Sequence, residues 1–372
     1  ISACLVGSEM CIRDRIADLR IKRGRILADN GTVLAQSVPG PAGTWNRFYP
    51  TKQLFAQPVG YLIAAQGRAA GLERSDSADL RGLQTGVSAV FGQLSANRTG
   101  DDVYTTLDPQ AQQVAVQQLG GQAGSVVAID PRSGAVLAMY SNPSYDDNNP
   151  DAKGSGITTF NRATQASYPP GSTFKVVSAT AAIDSGKFSP SSQVNGNSPI
   201  TVSGVPLSND NNQSWGPIDL TTALTYSVNT VWAQVAEQVG IGTMTQYMQR
   251  FGFYAKPPLD YPPDELNISR PFSPAGKPYP PGSGNEDIGR IGIGQGGLLV
   301  TPLQMALVVS AVANGGKLMV PHLTDKVVNP DGVTVKTITP MVYIQVMKPS
   351  TAQALTQMMT KVVEEGTGTA AQ

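Results

Sequence analysis

The stretch YPPGSTFKVVSATAAIDSG, residues 168–186, carries the strongest single signal in this chain. Its Pro-Pro-Gly lead-in forces a sharp turn, and the following residues, apolar on almost every face, predict a buried helix. Positions i and i+3 of a helix share a face, with β-carbons about 5 to 6 Å apart, so the Ser172 hydroxyl and the Lys175 amine can meet. Burial beside a helix N-terminus lowers the pKa of a lysine, which makes it a useful base. The pair therefore predicts a serine nucleophile beside its own base.

A purely structural interpretation of the same residues is also open. Ser172 can be an N-terminal capping serine, and Lys175 can extend its amine to the surface. Two features favour the chemical interpretation. Lys175 is the only lysine with a serine three positions before it, and a lone charged residue on an apolar helix is uncommon unless it is paired or functional.

A second pair lies in LTYSVNTVWAQVAEQVG, residues 224–240, where Ser227 and Asn229 stand at a break between two helical patterns. Ser-x-Asn also occurs at Ser95 and Ser283, so the spacing alone cannot choose. We favour Ser227 because apolar helical segments on both sides would hold it in a core cleft. The alternative for this pair is a capping serine followed by a solvated asparagine.

The bulk composition excludes several classes of function. Twenty-seven basic residues balance 27 acidic ones without a long run of one sign, so no nucleic-acid partner is predicted. His322, the only histidine, stands in the loop-like segment MVPHLTD, and we expect it on the surface. Histidine-rich metal sites are thereby excluded, no cofactor is predicted, and a Ser-His-Asp triad would need this one residue. The base of any acyl-transfer reaction is therefore not expected to be histidine.

The length of the chain and the changes in residue pattern along it predict two domains after a short leader. Residues 1–15 are foreign in character to the rest of the chain, and their two cysteines, Cys4 and Cys11, form neither a metal-ligand set nor a redox pair. We expect an N-terminal pedestal or dimerisation-like domain over residues 16–110. A larger domain over residues 111–372 holds both Ser172 and Ser227.

Turn and capping signals place the main elements. They predict hairpins in RGRILADNGTVLAQS (residues 23–37) and GSVVAIDPRSGAVLAMYSNP (residues 124–143), and helices that begin at Asp108-Pro109 and Thr301-Pro302. A Pro-rich insert spans about residues 257–283, where we expect no core elements. Strands, then helices, then strands predict an α+β fold.

Four patches in this order resemble the class B penicillin-binding proteins, the D,D-transpeptidases of peptidoglycan cross-linking, and most of all those of actinobacteria. They are RGRILADNGTVLA (residues 23–35), YPPGSTFKVV (168–177), YSVNTVWAQ (226–234) and IGIGQGGLLVTPLQMA (291–306). The resemblance implies a pedestal followed by a penicillin-binding transpeptidase domain like that of the serine β-lactamases, with a sheet flanked by helices.

The resemblance also implies a role for each motif residue. Ser172 would attack the penultimate D-Ala carbonyl of a stem peptide that ends in D-Ala-D-Ala, and Lys175 would accept its proton. Ser227 would relay a proton to the leaving group, and Asn229 would hold the substrate amide. The backbone N–H of Ser172 would serve as one oxyanion donor. β-Lactams would acylate the same serine.

The family resemblance further implies a setting for the protein. It would work at the extracytoplasmic face of the cell membrane, held by an N-terminal anchor, beside a glycan polymerase in cell division or cell shape. No window of this sequence approaches the 18 or more apolar residues of a membrane span. We therefore expect the anchor to be missing from this chain.

One family motif is missing from this sequence. A Lys-Thr-Gly or Lys-Ser-Gly would follow on an edge strand, whereas the sequence ends in VVEEGTGTAAQ, residues 362–372. We therefore expect a fragment truncated at both ends that is acylated poorly, because losing one oxyanion donor costs about 10²- to 10³-fold in rate. Two competing functions remain open, namely a serine β-lactamase and a penicillin sensor or division scaffold without turnover.

The segment GIGQGG, residues 292–297, also matches G-x-G-x-x-G. No acidic residue stands about 20 positions later, and the next helix begins only at Thr301, so dinucleotide binding is disfavoured. We expect a loop beside the cleft.

Overall fold

The structure, a computed structural model, describes residues 18–83, 99–154 and 157–372. The predicted leader, the two cysteines and Ser95 lie outside these residues. The strands within them are β1 Ile26–Leu27, β2 Val33–Pro39, β3 Trp45–Phe48, β4 Leu62–Ile63, β5 Arg68–Ala69, β6 Asp102–Thr105, β7 Gly124–Ile129, β8 Val136–Asn142, β9 Gln193–Asn195, β10 Ile200–Val202, β11 Val205–Leu207, β12 Pro217–Asp219, β13 Arg270–Pro271, β14 Leu298–Leu299, β15 Lys317–Met319, β16 Thr324–Val328, β17 Thr334–Thr337 and β18 Val342–Gln345.

Helices and strands are both present, and the strand pairs of the described residues are antiparallel except β1–β6, as is typical of an α+β fold. The α-helices of the described ranges are α1 Ala56–Val59, α2 Gly71–Ser75, α3 Ser77–Leu80, α4 Pro109–Leu119, α5 Lys175–Asp184, α6 Leu220–Thr225, α7 Asn229–Val239, α8 Ile241–Arg250, α9 Ile288–Ile291, α10 Pro302–Ala313 and α11 Pro349–Glu365. The predicted α+β class is confirmed.

Among the described residues, the largest sheet joins the N-terminal part of the chain to its C-terminal part. Its order is β17-β16-β6-β1-β2-β3, so a hairpin from the C-terminal part extends a sheet begun by the N-terminal hairpin β1–β2. Strand β16 pairs antiparallel with β6, with Val327 opposite Val103. Both of these valines are fully buried. The two halves of the chain are therefore tied together by backbone hydrogen bonds as well as by apolar packing.

The β7–β8 hairpin forms as predicted, around the positive φ of Gly134. Helices α4 and α10 pack against it. The Asp108 carboxylate accepts hydrogen bonds from the N–H groups of Gln110 at 2.7 Å and Ala111 at 3.3 Å, and it caps α4. Thr301 accepts from the Gln304 N–H at 3.1 Å and caps α10. The capping signals read from the sequence therefore mark both helix starts correctly.

Helix α5 lies at the centre of the larger domain. Nine of its ten residues are buried, and helices α7, α8 and α11 pack around it. Such a helix is stabilised by the removal of its apolar surface from water on every side. The one lysine at its start is consequently carried into the interior, at the point where α6 ends and α7 begins.

Two sequence-based expectations are wrong. His322 is 8% exposed, not on the surface, because its backbone pairs with the β7–β8 turn through the Val136 N–H at 2.9 Å and the Gly134 carbonyl at 3.1 Å. The Pro-rich insert contributes to the core through Leu259 and Tyr261, both buried. Proline removes backbone donors, but it does not prevent neighbouring side chains from packing.

Within the described residues, no helix has both the length and the apolar character needed to cross a bilayer.

Candidate active site

Ser172 lies on a short 3₁₀ helix, Gly171–Phe174, that leads directly into α5. Side chains at i and i+3 of a 3₁₀ helix are eclipsed, so this turn aligns Ser172 with Lys175 more closely than an α-turn would. The Lys175 Nζ and the Ser172 Oγ are 3.1 Å apart. Ser172 is exposed, whereas Lys175 is 1% exposed. The hydroxyl can therefore meet a substrate while the amine stays out of water.

Four oxygens surround the Lys175 amine. Besides Ser172 Oγ, they are the Ser227 carbonyl at 2.7 Å, the Ser227 Oγ at 2.9 Å and the Asn229 Oδ1 at 2.7 Å. Two of these, the carbonyl and the amide oxygen, can only accept hydrogen bonds. In the neutral amine, two N–H groups donate to these two oxygens, and the nitrogen lone pair remains to accept from a serine hydroxyl. This arrangement suits a lysine that accepts a proton from a serine.

The electrostatics favour the neutral amine. Burial lowers the pKa of Lys175 to about 7, while the negative charge of Asp210 acts in the opposite direction. Desolvation disfavours the ammonium because a charge loses its hydration when it is removed from water. A lysine with this pKa is a competent base near neutral pH.

Ser227 is held in an unusual backbone conformation between α6 and α7. Its φ is 56°, in the left-handed region that non-glycine residues rarely adopt and that costs about 1 to 3 kcal/mol. In this conformation both its carbonyl and its hydroxyl reach Lys175, and the Ser227 Oγ donates to Ser172 Oγ at 2.9 Å. Strain at this position is consistent with a functional constraint.

Asn229 begins α7 and links the amine to a polar loop. Its Oδ1 accepts from Lys175, and its Nδ2 donates to the Ser208 carbonyl at 3.3 Å and approaches the Asp210 carboxylate at 3.4 Å. The loop thereby orients the amide of Asn229. Neither the capping alternative for Ser172 nor that for Ser227 describes these side-chain contacts.

The glycine segment at residues 292–297 contacts the turn that carries the nucleophile. The Gly171 N–H donates to the Gly294 carbonyl at 3.1 Å. A β-carbon on Gly294 would lie 2.0 Å from the Gly171 oxygen, and the φ of Gly294 is +76°. The close backbone approach requires glycine here, which explains the motif without a nucleotide. The predicted loop beside the cleft is therefore present.

Replacing Gly294 with alanine is expected to lower the free energy of unfolding by about 2 to 5 kcal/mol, from left-handed strain plus a steric clash. The matched control is Gly204→Ala, where φ is +77° and nothing lies within 4 Å of the added carbon. In that variant we expect the strain alone to lower the free energy of unfolding, by about 1 to 3 kcal/mol. Denaturant unfolding of both variants measures the difference, and equal losses would show that the Gly171–Gly294 approach does not constrain the turn.

Sequence reasoning assigned no role to residues 189–215. Asn209 and Asp210 lie there, beside the active cluster. The polar run SNDNNQSW was the available signal. Of the other Ser-x-Asn matches, Ser283 instead bonds Glu286 at 2.7 Å.

Comparison with known proteins gives two family matches. A family model described as a penicillin binding protein transpeptidase domain matches residues 124–372, and one described as a penicillin binding protein A dimerisation domain matches residues 23–104. The peptidoglycan D,D-transpeptidase PbpA of Mycolicibacterium smegmatis is 32% identical over 369 residues, which cover 91% of this chain and 72% of that protein. PbpA of Mycobacterium tuberculosis is 30% identical over 368 residues, with the same coverage of 91% and 72%.

Solved structures show the same similarity. The imipenem acyl-enzyme complex of penicillin-binding protein A from M. tuberculosis superposes with a TM-score of 0.80 at 26% identity, covering 93% of this chain and 83% of that one. The D,D-transpeptidase domain of a peptidoglycan glycosyltransferase from Eggerthella lenta has a TM-score of 0.81 at 28% identity, covering 95% and 84%.

Proposed function

Because this chain belongs to the penicillin-binding protein transpeptidase family, we propose that Ser172, Lys175, Ser227 and Asn229 carry out serine-based peptidoglycan D,D-transpeptidation. The observation that supports these roles is the buried Lys175 amine, which contacts both serine hydroxyls, at 3.1 Å and 2.9 Å. The reaction class is that of a serine D,D-transpeptidase that β-lactams acylate. The chain works outside the cytoplasm, where peptidoglycan lies.

In the acylation step, the Ser172 oxygen attacks the penultimate D-Ala carbonyl carbon. Its proton passes to the neutral Lys175 amine, which lies within hydrogen-bond distance. The Ser172 N–H stands in the first turn of the 3₁₀ helix, where N–H groups have no intrahelical acceptor, and it is available to the oxyanion. The terminal D-Ala then leaves as an amine.

The departing amine needs a proton, and Ser227 supplies the path for it. The Ser227 Oγ bridges Lys175 Nζ and Ser172 Oγ, each at 2.9 Å. A proton taken up by Lys175 can therefore reach the leaving nitrogen through the Ser227 hydroxyl. In the second step, an acceptor amine attacks the ester carbon and restores the Ser172 hydroxyl. Asn229 would hold the amide of the bound peptide.

The two other candidate functions differ in the fate of the acyl group. The protein is to be incubated with a peptide ending in D-Ala-D-Ala and an amine acceptor, while free D-Ala and the joined peptide are measured by mass spectrometry. We expect both products. Rapid release of hydrolysed penicillin would instead indicate a β-lactamase, and a long-lived penicillin adduct without peptide transfer would indicate a sensor or scaffold.

The setting of the enzyme is part of the same proposal. We place the boundary between a pedestal of residues 16–110 and a catalytic domain of residues 111–372. A membrane anchor and a glycan polymerase partner, in cell division or cell shape, follow from the family resemblance.

A further inference from the structure

A polar cleft of about 360 Å³ opens beside Ser227. We call it the amine cleft and define it by Asp210, Trp215, Tyr226, Ser227 and Thr367, which all line it. It shares Ser227 with the active site, and Asp210 also approaches the Asn229 amide at 3.4 Å. The cleft is therefore continuous with the reacting groups.

The wall that carries Asp210 and Trp215 is rigidly built. Asn209 is 5% exposed, and its Nδ2 donates to the carbonyls of Gly196 at 3.0 Å and Gln213 at 2.9 Å. Its Oδ1 accepts from the Thr230 N–H at 2.9 Å, in the first turn of α7. A buried, fully bonded asparagine thus fixes this loop to the helix that begins at Asn229. The cleft is a preformed feature, which lowers the entropic cost of binding.

Its chemistry fits an aliphatic ammonium group. Asp210 is exposed and carries a negative charge, and within the described residues no arginine or lysine forms an ion pair with it. Trp215 and Tyr226 stack with ring centroids 4.9 Å apart and planes at 26°, and Tyr226 is 39% exposed. Aromatic surfaces attract cations and also accept the methylene chain that carries an ammonium.

The position of the cleft indicates which amine it takes. The leaving D-Ala nitrogen receives its proton at Ser227 in the proposed mechanism. By microscopic reversibility, the amine that attacks the acyl-enzyme must approach from the side where the first amine departed. The amine cleft opens on the side of Ser227, so an incoming amine held there reaches the ester carbon along that path.

We propose that the amine cleft binds the acceptor stem peptide through its free side-chain ammonium, with Asp210 as the charge partner and the Trp215–Tyr226 pair as the wall for its aliphatic chain. This inference rests on the proposed transpeptidase function and names the acceptor chemistry, a primary amine on a flexible chain. Asp210 acts as a binding residue, and its removal is expected to change the half-saturating concentration of the acceptor.

The transfer step balances without another reactant. The ammonium first loses one proton to solvent, and the neutral nitrogen then attacks the carbonyl carbon of the Ser172 ester. A carbon–nitrogen bond forms, the carbon–oxygen bond to Ser172 breaks, and the second proton of the nitrogen passes through Ser227 and Lys175 to the Ser172 oxygen. The products are an amide and the free serine.

Two measurements test the proposal at about pH 8.5, above the Lys175 pKa of about 7, so that its protonation does not confound them. The first titrates Nα-acetyl-lysine against the free protein and follows the Trp215 indole N–H signal by NMR. The second acylates the protein with an N-acyl-D-alanyl thioester, which has no side-chain amine, and measures transfer to Nα-acetyl-lysine. The isosteric alcohol, with a hydroxyl in place of the amine, is the neutral probe for both.

We expect Asp210→Asn to weaken binding of Nα-acetyl-lysine, and to raise its half-saturating concentration in transfer, by about two- to fivefold. Trp215→Leu keeps apolar volume but removes both the aromatic face and the NMR signal. This variant is therefore measured by transfer alone, and its half-saturating concentration for Nα-acetyl-lysine should also rise. The response to the alcohol should be unchanged, and transfer is compared at equal amounts of acyl-enzyme because Asp210 also contacts the Asn229 amide. The matched control is Asp331→Asn, an exposed carboxylate in the turn between β16 and β17, which should have no effect.

An Asp210→Asn variant that binds and uses Nα-acetyl-lysine as the parent protein does would overturn the proposal. The proposal would also be overturned if Asp210→Asn slowed only acylation by donors that carry a side-chain amine, because the cleft would then bind the donor. A different outcome would contradict the proposed transpeptidase function, namely that the parent protein is not acylated by the thioester. The NMR titration still decides amine binding in that case.

Discussion

Replacing Ser172 with alanine is expected to abolish covalent labelling of this protein by a fluorescent penicillin. Ser172 Oγ is the exposed member of the cluster, and the Lys175 amine and the Ser227 hydroxyl both bond to it, at 3.1 Å and 2.9 Å. Removal of a catalytic serine lowers the reaction rate by about 10⁶-fold in serine hydrolases. Labelling that slow lies below the detection limit of a gel. Peptide mapping of the parent protein should place the adduct on Ser172.

The control for this variant is Ser185→Ala, just beyond the end of α5. Ser185 is exposed, and its hydroxyl donates to the Ala182 carbonyl at 3.2 Å. We expect normal labelling of this variant and a melting temperature for both variants close to that of the parent protein. Equal labelling of Ser172→Ala and the parent protein would remove Ser172 from the nucleophile role.

Replacing Lys175 with methionine should reduce the rate of acylation by about 10²- to 10⁴-fold, the usual contribution of a general base. Methionine keeps most of the buried volume but cannot accept a proton. Arginine at this position should be equally inactive, because a guanidinium stays protonated. Lys187→Met is the matched control, since Lys187 is exposed and its amine donates to the Val239 carbonyl at 2.6 Å. A Lys175→Met protein that acylates at a normal rate would place the base elsewhere.

The pH profile gives an independent test of the same residue. Burial lowers the pKa of Lys175 to about 7, and the base must be neutral to act. The rate of acylation should therefore rise about tenfold per pH unit below that value and level off above it. Stopped-flow acylation between pH 5 and pH 9 measures the profile. A rate that stays constant over this range would contradict a lysine base.

Local sequence patterns predicted much of the fold. Proline and aspartate or threonine at helix starts located α4 and α10, and Asn-Gly located the first hairpin. These signals act through neighbours within about five residues, so they can be read without the rest of the fold. The Pro-rich insert and His322 were misjudged for the opposite reason. Their burial depends on distant partners, such as the β7–β8 turn that pairs with the backbone of His322.

The same distinction between local and distant contacts applies to the active site. Ser172 and Lys175 stand three residues apart on one helical turn, so the sequence by itself determined that a hydroxyl and an amine meet there, and that the amine is buried. Only the tertiary structure decided that Ser227, 55 residues from Ser172, completes the cluster. It also brought Gly294 against Gly171 and placed Asp210 beside Asn229. Such contacts arise because helix packing brings distant segments together, and no local pattern encodes which segments will meet.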